Sequence, residues 1–255
     1  MTKIFTKRNL NLLYELTISS FKLRNEGSIL GLLWYLLNPL LTLIVLYVVF
    51  SKNIGGSIPN FTFYVLIGII QWNFFSFSTH DGMISLERYK DLIKKTNFPR
   101  ELLVVSSVLT LFIAHLIEWS LLLIILTYFL GLSFNLFLLP LILILQIILS
   151  LILSFILAGL FSYYKDVQNI WRTLLFIGWF LTPIFYLKEI IPAPFYFINY
   201  INPITHILNF TRIILLEKTM PDLFLLLFIY LIFIFLLAIS YKIFKKLVVN
   251  VAERL

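Results

Sequence analysis

One carboxylate inside a long uncharged stretch is the strongest candidate for chemistry in this sequence. Glu118 is the only charged residue between Leu102 and Tyr164, and His115 lies three residues earlier, on the same face of a helix. An acid within an apolar segment long enough to cross a bilayer is costly and is a functional candidate by default. The pair could relay protons in a secondary transporter, or it could be a structural pair that faces a neighbouring helix. We favour the structural interpretation, because a proton-driven transporter usually needs more than one such group.

No other pattern assembles a catalytic set. No Gly precedes Lys-Ser or Lys-Thr, so the phosphate-binding P-loop is missing and this chain is not an ATPase. His80, Asp81 and Gly82 superficially resemble a metal-dependent phosphotransferase motif, but the further carboxylates that a divalent ion needs do not follow. The three His residues (80, 115 and 206) have no metal-ligand spacing, and the sequence has no Cys. We therefore predict no catalytic residue, no metal and no cofactor in this chain.

Aromatic residues form the second notable pattern. Phe, Tyr and Trp make up 17% of the sequence and crowd the short apolar segment around Thr182 and Pro183. Aromatic rings contact the apolar faces of sugars without demanding one hydrogen-bond pattern, and by analogy with aromatic pairs each contact contributes about 1 kcal/mol. Many weak sites in series let a polymer slide. The alternative is that these rings pack internally or face lipid, as aromatic belts do.

The composition places these residues in a membrane protein. The 255 residues are 61% apolar and 13% charged, whereas a soluble domain is about half apolar and a quarter charged. A water-soluble enzyme is therefore excluded. The net charge of +8 would suggest nucleic acid in a soluble protein, but in a membrane protein it reports topology. We predict an all-α polytopic membrane protein with one domain, residues 1–255, and no nucleic-acid partner.

Uncharged segments predict six membrane-spanning helices, because about 20 apolar residues cross a bilayer core. The stretch of 63 residues from Leu102 to Tyr164 is too long for one helix, and Gly131, Ser133 and Asn135 predict a tight turn within it. The predicted spans are 29–50, 53–79, 102–130, 136–163, 173–187 and 223–241.

Positive charges predict the orientation. With six spans and both termini in the cytoplasm, cytoplasmic segments hold 16 of the 20 Lys and Arg residues. The uncharged stretch 190–211 could form a seventh span, but this would move the basic C-terminal segment outside. The stretch 190–211 also contains Pro192, Pro194 and Pro203, which remove backbone hydrogen-bond donors and so disfavour a continuous spanning helix. We therefore predict that residues 189–217 are re-entrant helices in the outer half of the membrane.

Two cytoplasmic segments have amphipathic patterns. Residues 1–28 interleave apolar and basic residues, which is typical of a helix in the membrane interface. Between the second and third spans, Leu86, Tyr89, Leu92 and Ile93 follow helical spacing, with charged residues on the other face.

Six motifs, in order along the whole chain, resemble those of one family. They are 24–39 at the first span, 97–102 before the third span, 164–169 with Lys165 where Arg is usual, 179–186, Asn202-Pro203, and the tail 251–255. Together they resemble the polysaccharide-export permeases, the type-2 membrane subunits of ATP-binding-cassette (ABC) exporters for O-antigen, capsule and teichoic acid.

This resemblance implies an architecture and partners. It implies six spans, an amino-terminal interface helix, and two re-entrant helices between spans five and six. Two copies would enclose one pore, lined mainly by spans one and five, in the bacterial inner membrane. Two copies of a cytoplasmic ABC ATPase would dock below and would bind ATP and Mg. The cargo would be undecaprenyl-linked polysaccharide, and O-antigen is the one we expect among the family's substrates.

The resemblance also suggests residue roles. A cytoplasmic helix at 84–97 would couple to the ATPase, and a basic cluster would meet the lipid pyrophosphate or, equally, anionic lipid heads. Thr182 and Pro183 would bend span five or end it. The coupling residues would be Leu86, Arg88, Tyr89, Leu92 and Ile93. The basic residues would be Lys22, Arg24, Arg88, Lys94 and Lys95. The pore residues would be Trp34, Tyr35, Tyr47, Trp179, Phe180, Phe185 and Tyr186.

Two alternatives stay open at this point. The same fold could export another lipid, a glycolipid or a drug. A proton-coupled secondary transporter that uses Glu118 is the alternative from a different class.

Overall fold

The computed structural model describes residues 6–27, 31–51, 58–96, 98–131 and 133–249. Over these ranges the chain is almost entirely helical and contains no β-strand. The motif predicted at 251–255 lies outside the described residues, as do the first five residues of the predicted interface helix. The helices are α1 (Lys7–Asn25), α2 (Trp34–Phe50), α3 (Phe61–Arg88), α4 (Lys90–Lys95), α5 (Glu101–Leu130), α6 (Leu139–Phe161), α7 (Val167–Leu181), α8 (Phe197–Ile201), α9 (Pro203–Arg212) and α10 (Leu223–Leu247).

Four helical segments of the described chain are long and apolar enough to cross a membrane. They are α3, α5, α6 together with the 3₁₀ turn before it, and α10. Helix α2 is apolar but shorter. The predicted turn between the third and fourth spans is confirmed, because α5 ends at Leu130 and Gly131 follows with a φ of +76°. Glycine adopts this left-handed conformation without steric cost.

Helix α3 lies at the centre of the fold, packed against α5 and α6 along its length and against α2, α7 and α9. Small residues let α3 and α6 approach closely: a Cβ built on Gly82 would lie 2.3 Å from the Ser154 Oγ. Beside it, the Ser78 hydroxyl donates to the Ser150 hydroxyl at 2.9 Å. Small residues and interhelical hydrogen bonds of this kind hold helices together where lipid removes the hydrophobic driving force.

Helix α10 closes the bundle by packing on α6. Its C-terminal end is fixed to α5, since Lys245 Nζ lies 2.7 Å from a carboxylate oxygen of Glu101, which is 3% exposed. The Tyr241 hydroxyl donates to the same oxygen at 3.2 Å. This pairing satisfies a carboxylate that would otherwise be buried without a partner.

Helix α1 packs across α5. The Thr110 hydroxyl of α5 donates to the Thr17 carbonyl at 3.3 Å, and Leu16 packs in the same apolar cluster as the end of α3. Leu10, Tyr14 and Leu23 are exposed. The helix therefore has one face on the bundle and leaves several apolar side chains uncovered by this chain.

The segment after α7 consists of short pieces. The helix ends at Thr182, where the Asn202 amide donates to the Thr182 hydroxyl at 2.8 Å. Two 3₁₀ turns, α8 and α9 follow, and most of α9 is buried. Pro183 thus marks the end of α7 rather than a bend within a longer helix.

Candidate transport site

A cavity of about 240 Å³ lies between the end of α1 and helices α2, α3 and α5. Polar side chains reach it from each element: Asn38 from α2, Asn73 from α3 and Glu118 from α5. Trp34 and Tyr35 form its aromatic wall. The structure thus brings the predicted intramembrane carboxylate together with two of the predicted pore aromatics, a proximity that no spacing in the sequence indicates.

The orientation of Glu118 is set by His115 and by Trp119, one helical turn after His115. The Trp119 Nε1–H donates to His115 Nε2 at 2.8 Å, so Nε2 carries no proton. The proton of the neutral ring is therefore on Nδ1, which lies 3.4 Å from Glu118 Oε2. His115 also stacks on Phe74, with centroids 4.4 Å apart. Both ring nitrogens of His115 thus have partners within this chain.

A second cavity, of about 390 Å³, lies next to the first, and Arg24 lines both. Asp81 of α3 is held between two cations here: Arg24 Nη1 lies 2.7 Å and Arg88 Nη2 3.2 Å from its carboxylate oxygens. The Tyr89 hydroxyl shares a hydrogen bond of 2.6 Å with Ser20 of α1. These contacts fix the end of α1 to the end of α3.

The predicted basic cluster is only partly assembled. Arg24 and Arg88 both pair with Asp81. Asp81 belongs to the His80-Asp81-Gly82 sequence that was rejected above as a metal-binding motif. Lys94 and Lys95 line a separate cavity at the end of α4, and Lys22 is exposed. The five cations therefore do not form one anion site in this chain.

The predicted coupling helix is not a single helix. Helix α3 continues to Arg88, the chain breaks at Tyr89, and α4 covers only Lys90–Lys95. Leu86, 1% exposed, and Ile93, 6% exposed, pack inside the chain, and Leu92 is partly buried beside them. The assignment of Leu86 and Ile93 to a partner surface is therefore wrong in this structure, because an apolar cluster of α5, α6 and α10 covers them. Position 97 lies outside the described residues.

The exposed surface of this segment is charged instead. Arg88, Lys90, Asp91, Lys94 and Lys95 are all exposed. This surface, called the α4 surface below, is the part of the predicted coupling segment that another protein can reach.

The predicted pore aromatics fall into two groups. Trp34, Tyr47 and Phe180 are exposed on α2 and α7. Phe185 and Tyr186 are 8% and 7% exposed, so their assignment to a pore surface is wrong in this structure. The reason is the end of α7 at Thr182, which turns the following residues back into the bundle. There Phe185 stacks on Phe50, with centroids 4.9 Å apart, and the Tyr186 hydroxyl donates to the Phe180 carbonyl at 2.7 Å.

The other two pore candidates are partly covered. Trp179 meets Trp72 of α3 edge to face, with centroids 6.0 Å apart. Tyr35 stacks on Phe21 of α1, with centroids 6.5 Å apart, and reaches the first cavity from that side.

The sequence analysis assigned no role to Arg212. The side chain is 4% exposed and lies over the Tyr64 ring at 3.3 Å. Its guanidinium donates to the carbonyls of Pro183 at 2.7 Å, Ile184 at 2.9 Å and Tyr64 at 3.0 Å. It thereby joins α9, the end of α7 and α3, and no carboxylate of the described chain pairs with it. The sequence feature that could have identified Arg212 as a buried cation is its position directly after the uncharged stretch 190–211.

Comparison with known proteins identifies the family. A sequence model of the ABC-2 type transporter family matches residues 11–216. The chain belongs to this family. The match runs from α1 through α9 and so covers both cavities, the α4 surface and the Arg212 contacts.

Curated relatives of this ABC-2 transporter are similar over most of their length. An O-antigen export system permease protein of Myxococcus xanthus is 29% identical over 214 residues, which is 83% of this chain and 82% of the relative. A protein of the same description from Klebsiella pneumoniae is 28% identical over 254 residues, 97% of each chain. Family and apolar helices together establish a multi-pass membrane protein.

Proposed function

We propose that this chain is the membrane permease of an ABC exporter that moves undecaprenyl-linked polysaccharide, O-antigen among the candidates, across the bacterial inner membrane. The observation that carries the proposal is the end-to-end similarity to an O-antigen export permease, 97% of each chain. In this proposal, ATP and Mg bind to a separate ATPase, and this chain has no catalytic role.

The proposed topology has six spans with both termini in the cytoplasm. Helices α2 and α7 are the two spans that fall short of the length expected for a membrane crossing. In this proposal the segment from 189 to 217 forms the pair of re-entrant helices. Helix α9 supports this, because it is mostly buried against α3 and α6, and interrupted backbone is tolerated at membrane depth only where protein covers it.

The proposed pore lies between two copies of the chain. Helices α2 and α7 carry the exposed aromatic side chains among the predicted pore residues, which are Trp34, Tyr47 and Phe180. A two-fold dimer that joins these faces would enclose a passage with aromatic rings from both copies. An exposed apolar face could equally contact lipid. We assign these faces to the pore because they are rich in aromatic residues and because the family is one of transporters.

The α4 surface is the proposed contact with the ATPase. It is charged and exposed, and α4 packs against the end of α3 next to Arg88 and Tyr89. Motion of the ATPase at this surface would thus reach Asp81 and the end of α1. The first residues of the chain would lie along the membrane interface, in the manner predicted for residues 1–28.

The test is co-expression with ABC ATPases of the same organism, followed by purification of the complex and an ATPase assay. The variant is Lys90→Glu with Lys94→Glu, because Tyr89 and Leu92 make contacts inside the chain and their replacement would disturb the fold. Like-charge repulsion at the interface should reduce complex-dependent ATP hydrolysis at least tenfold.

The matched control is Lys242→Glu with Lys246→Glu on the exposed end of α10. It makes the same charge change at the same end of the bundle and should leave hydrolysis near the wild-type rate. Failure of the unmodified chain to form a complex with any ABC ATPase would refute the proposed function.

A further inference from the structure

The first cavity contains polar groups that the proposed pore and the proposed ATPase contact do not use. Asn38 of α2 and Asn73 of α3 line it. Within the described part of the chain, neither side-chain amide has a hydrogen-bond partner. One Glu118 oxygen is likewise without a protein donor, since only Oε2 meets His115. Two amides and a carboxylate oxygen thus converge with free hydrogen-bonding capacity.

The depth of Asn73 and Glu118 along their helices makes their free hydrogen-bonding capacity significant. At 1.5 Å per residue, Asn73 lies about 22 Å along α3 from its end at Arg88, and Glu118 lies about 25 Å along α5 from its start at Glu101. Both positions are far from the helix ends, where bulk water would satisfy them. Unpaired polar groups at membrane depth are costly unless they face a polar occupant.

The chemistry of the lining favours one sugar ring as the occupant. Amides donate and accept, and a carboxylate accepts, so together they match the alternating donors and acceptors of neighbouring hydroxyls. Trp34 and Tyr35 offer flat aromatic faces for the C–H face of the ring. The volume of about 240 Å³ lies below the ~300–1,000 Å³ of pockets for drug-sized ligands. The cavity therefore suits a single ring rather than a chain of several.

The geometry argues against a proton relay at the same place. His115 receives the Trp119 N–H on Nε2 and directs Nδ1 to Glu118, so neither nitrogen is free to pass a proton onward. Glu118 is also the only carboxylate that lines the cavity within the described chain. The arrangement holds the carboxylate in one orientation, which suits recognition of a ligand.

We propose that this cavity is a recognition subsite for one sugar ring of the exported polysaccharide. In it, the side chains of Asn38, Asn73 and Glu118 bond the hydroxyls, and Trp34 packs on the apolar face of the ring. His115 and Trp119 are positioning residues that orient Glu118. This inference rests on the proposed function and names the part of the substrate that this chain reads.

The experiment uses the full chain in complex with its ATPase, in lipid nanodiscs that contain no sugar-headed detergent. The probes are the methyl glycosides of a hexose, a 6-deoxyhexose, an N-acetylhexosamine and a pentose, and binding is measured by saturation-transfer NMR. We expect at least one glycoside to bind with a millimolar dissociation constant. Asn73→Leu should weaken that binding about tenfold, the equivalent of ~1.4 kcal/mol.

Glu118 variants separate recognition from proton transfer. Glu118→Gln retains a carbonyl acceptor and should weaken glycoside binding less than Glu118→Leu, while ATP-driven export continues. Loss of export with unchanged glycoside binding in Glu118→Gln would overturn the inference in favour of a relay. The matched control is Asn209→Leu, which removes an amide from the separate outer cavity and should leave binding unchanged.

Two further outcomes would also overturn the inference. One is that no glycoside binds to a complex that hydrolyses ATP and exports polysaccharide, in which case the proposed function stands without the subsite. The other is that methylammonium displaces the glycoside as effectively as unlabelled glycoside does, which would identify a cation site. Glycoside binding by a chain that assembles with no ATPase would support the subsite and refute the proposed function.

Discussion

Helices α3 and α7 show how differently two apolar segments of one chain can be used. Helix α3 is buried along most of its length and contacts six other helices. Within the described chain, Leu175 is the one buried residue of α7, and Ile170, Phe176 and Phe180 are exposed. Lipid is as apolar as these side chains, so hydropathy does not distinguish a framework helix from one that faces a partner.

The contacts between the two helices show what distinguishes them. Helix α3 meets α6 through Gly82, Ser154 and paired hydroxyls, so its position is set by close packing and hydrogen bonds within this chain. Helix α7 meets α3 where Gly178 accommodates the Trp72 ring, which a Cβ at position 178 would approach to 2.8 Å, and where the Trp171 Nε1–H donates to the Thr79 hydroxyl at 3.2 Å. The framework is thus specified internally, while α7 leaves most of its surface for other molecules.

The largest expected effect is on the framework. Gly82→Leu would place a side chain where even a Cβ lies 2.3 Å from the Ser154 Oγ, and overpacking of this severity costs about 3 kcal/mol. We expect a large loss of folded protein, measured as the monodisperse yield and the unfolding temperature in nanodiscs. Ser120→Leu, at an exposed position of α5, should leave both unchanged. Wild-type stability of Gly82→Leu would show that the α3–α6 contact is looser than described.

An intermediate effect is expected where α7 is joined to the bundle. Arg212→Met removes the donors to Pro183, Ile184 and Tyr64, and buried carbonyls without partners cost about 2 kcal/mol in total after relaxation. We expect a lower unfolding temperature and faster proteolysis between residues 188 and 201.

The control for this change is Arg172→Met, which replaces an exposed Arg on α7 itself. It should leave the unfolding temperature unchanged. If both variants unfolded at the same temperature as the wild type, the carbonyl contacts of Arg212 would have no structural importance.

The smallest effect on stability is expected on the exposed face of α7. Phe180 is 53% exposed, so Phe180→Ala should change the free energy of unfolding by less than ~0.5 kcal/mol. If Phe180 lines the pore, the same change should lower the export rate several-fold in cells that carry the ATPase. Phe224→Ala, on the exposed N-terminal end of α10, should change neither quantity. Equal export by both variants would assign Phe180 to lipid.

Local patterns in the sequence predict local features well. The turn at Gly131 follows from a glycine in the middle of an uncharged stretch, and the pairing of His115 with Glu118 follows from helical spacing. The Trp119 donor lies one turn after His115 and could have been found by the same rule. These features depend on residues within a few positions of one another.

Features that depend on distant residues were not predictable. The apolar spacing of Leu86, Tyr89 and Ile93 continues across the break at Tyr89, so periodicity indicates one helix where there are two. The burial of Phe185 depends on how the chain turns after Pro183. The cavity at Glu118 requires α2, α3 and α5 to meet, and no single segment encodes that encounter.

The contacts of Arg212 have a consequence for the biogenesis of the chain. In the proposed re-entrant arrangement Arg212 enters the membrane, where a guanidinium without acceptors is costly, so its acceptors should be present when it arrives. All three carbonyls, those of Tyr64, Pro183 and Ile184, belong to residues that precede Arg212 in the chain. Since synthesis proceeds from the amino terminus, these carbonyls leave the ribosome first. The order of the chain therefore provides Arg212 with its acceptors before it has to be inserted.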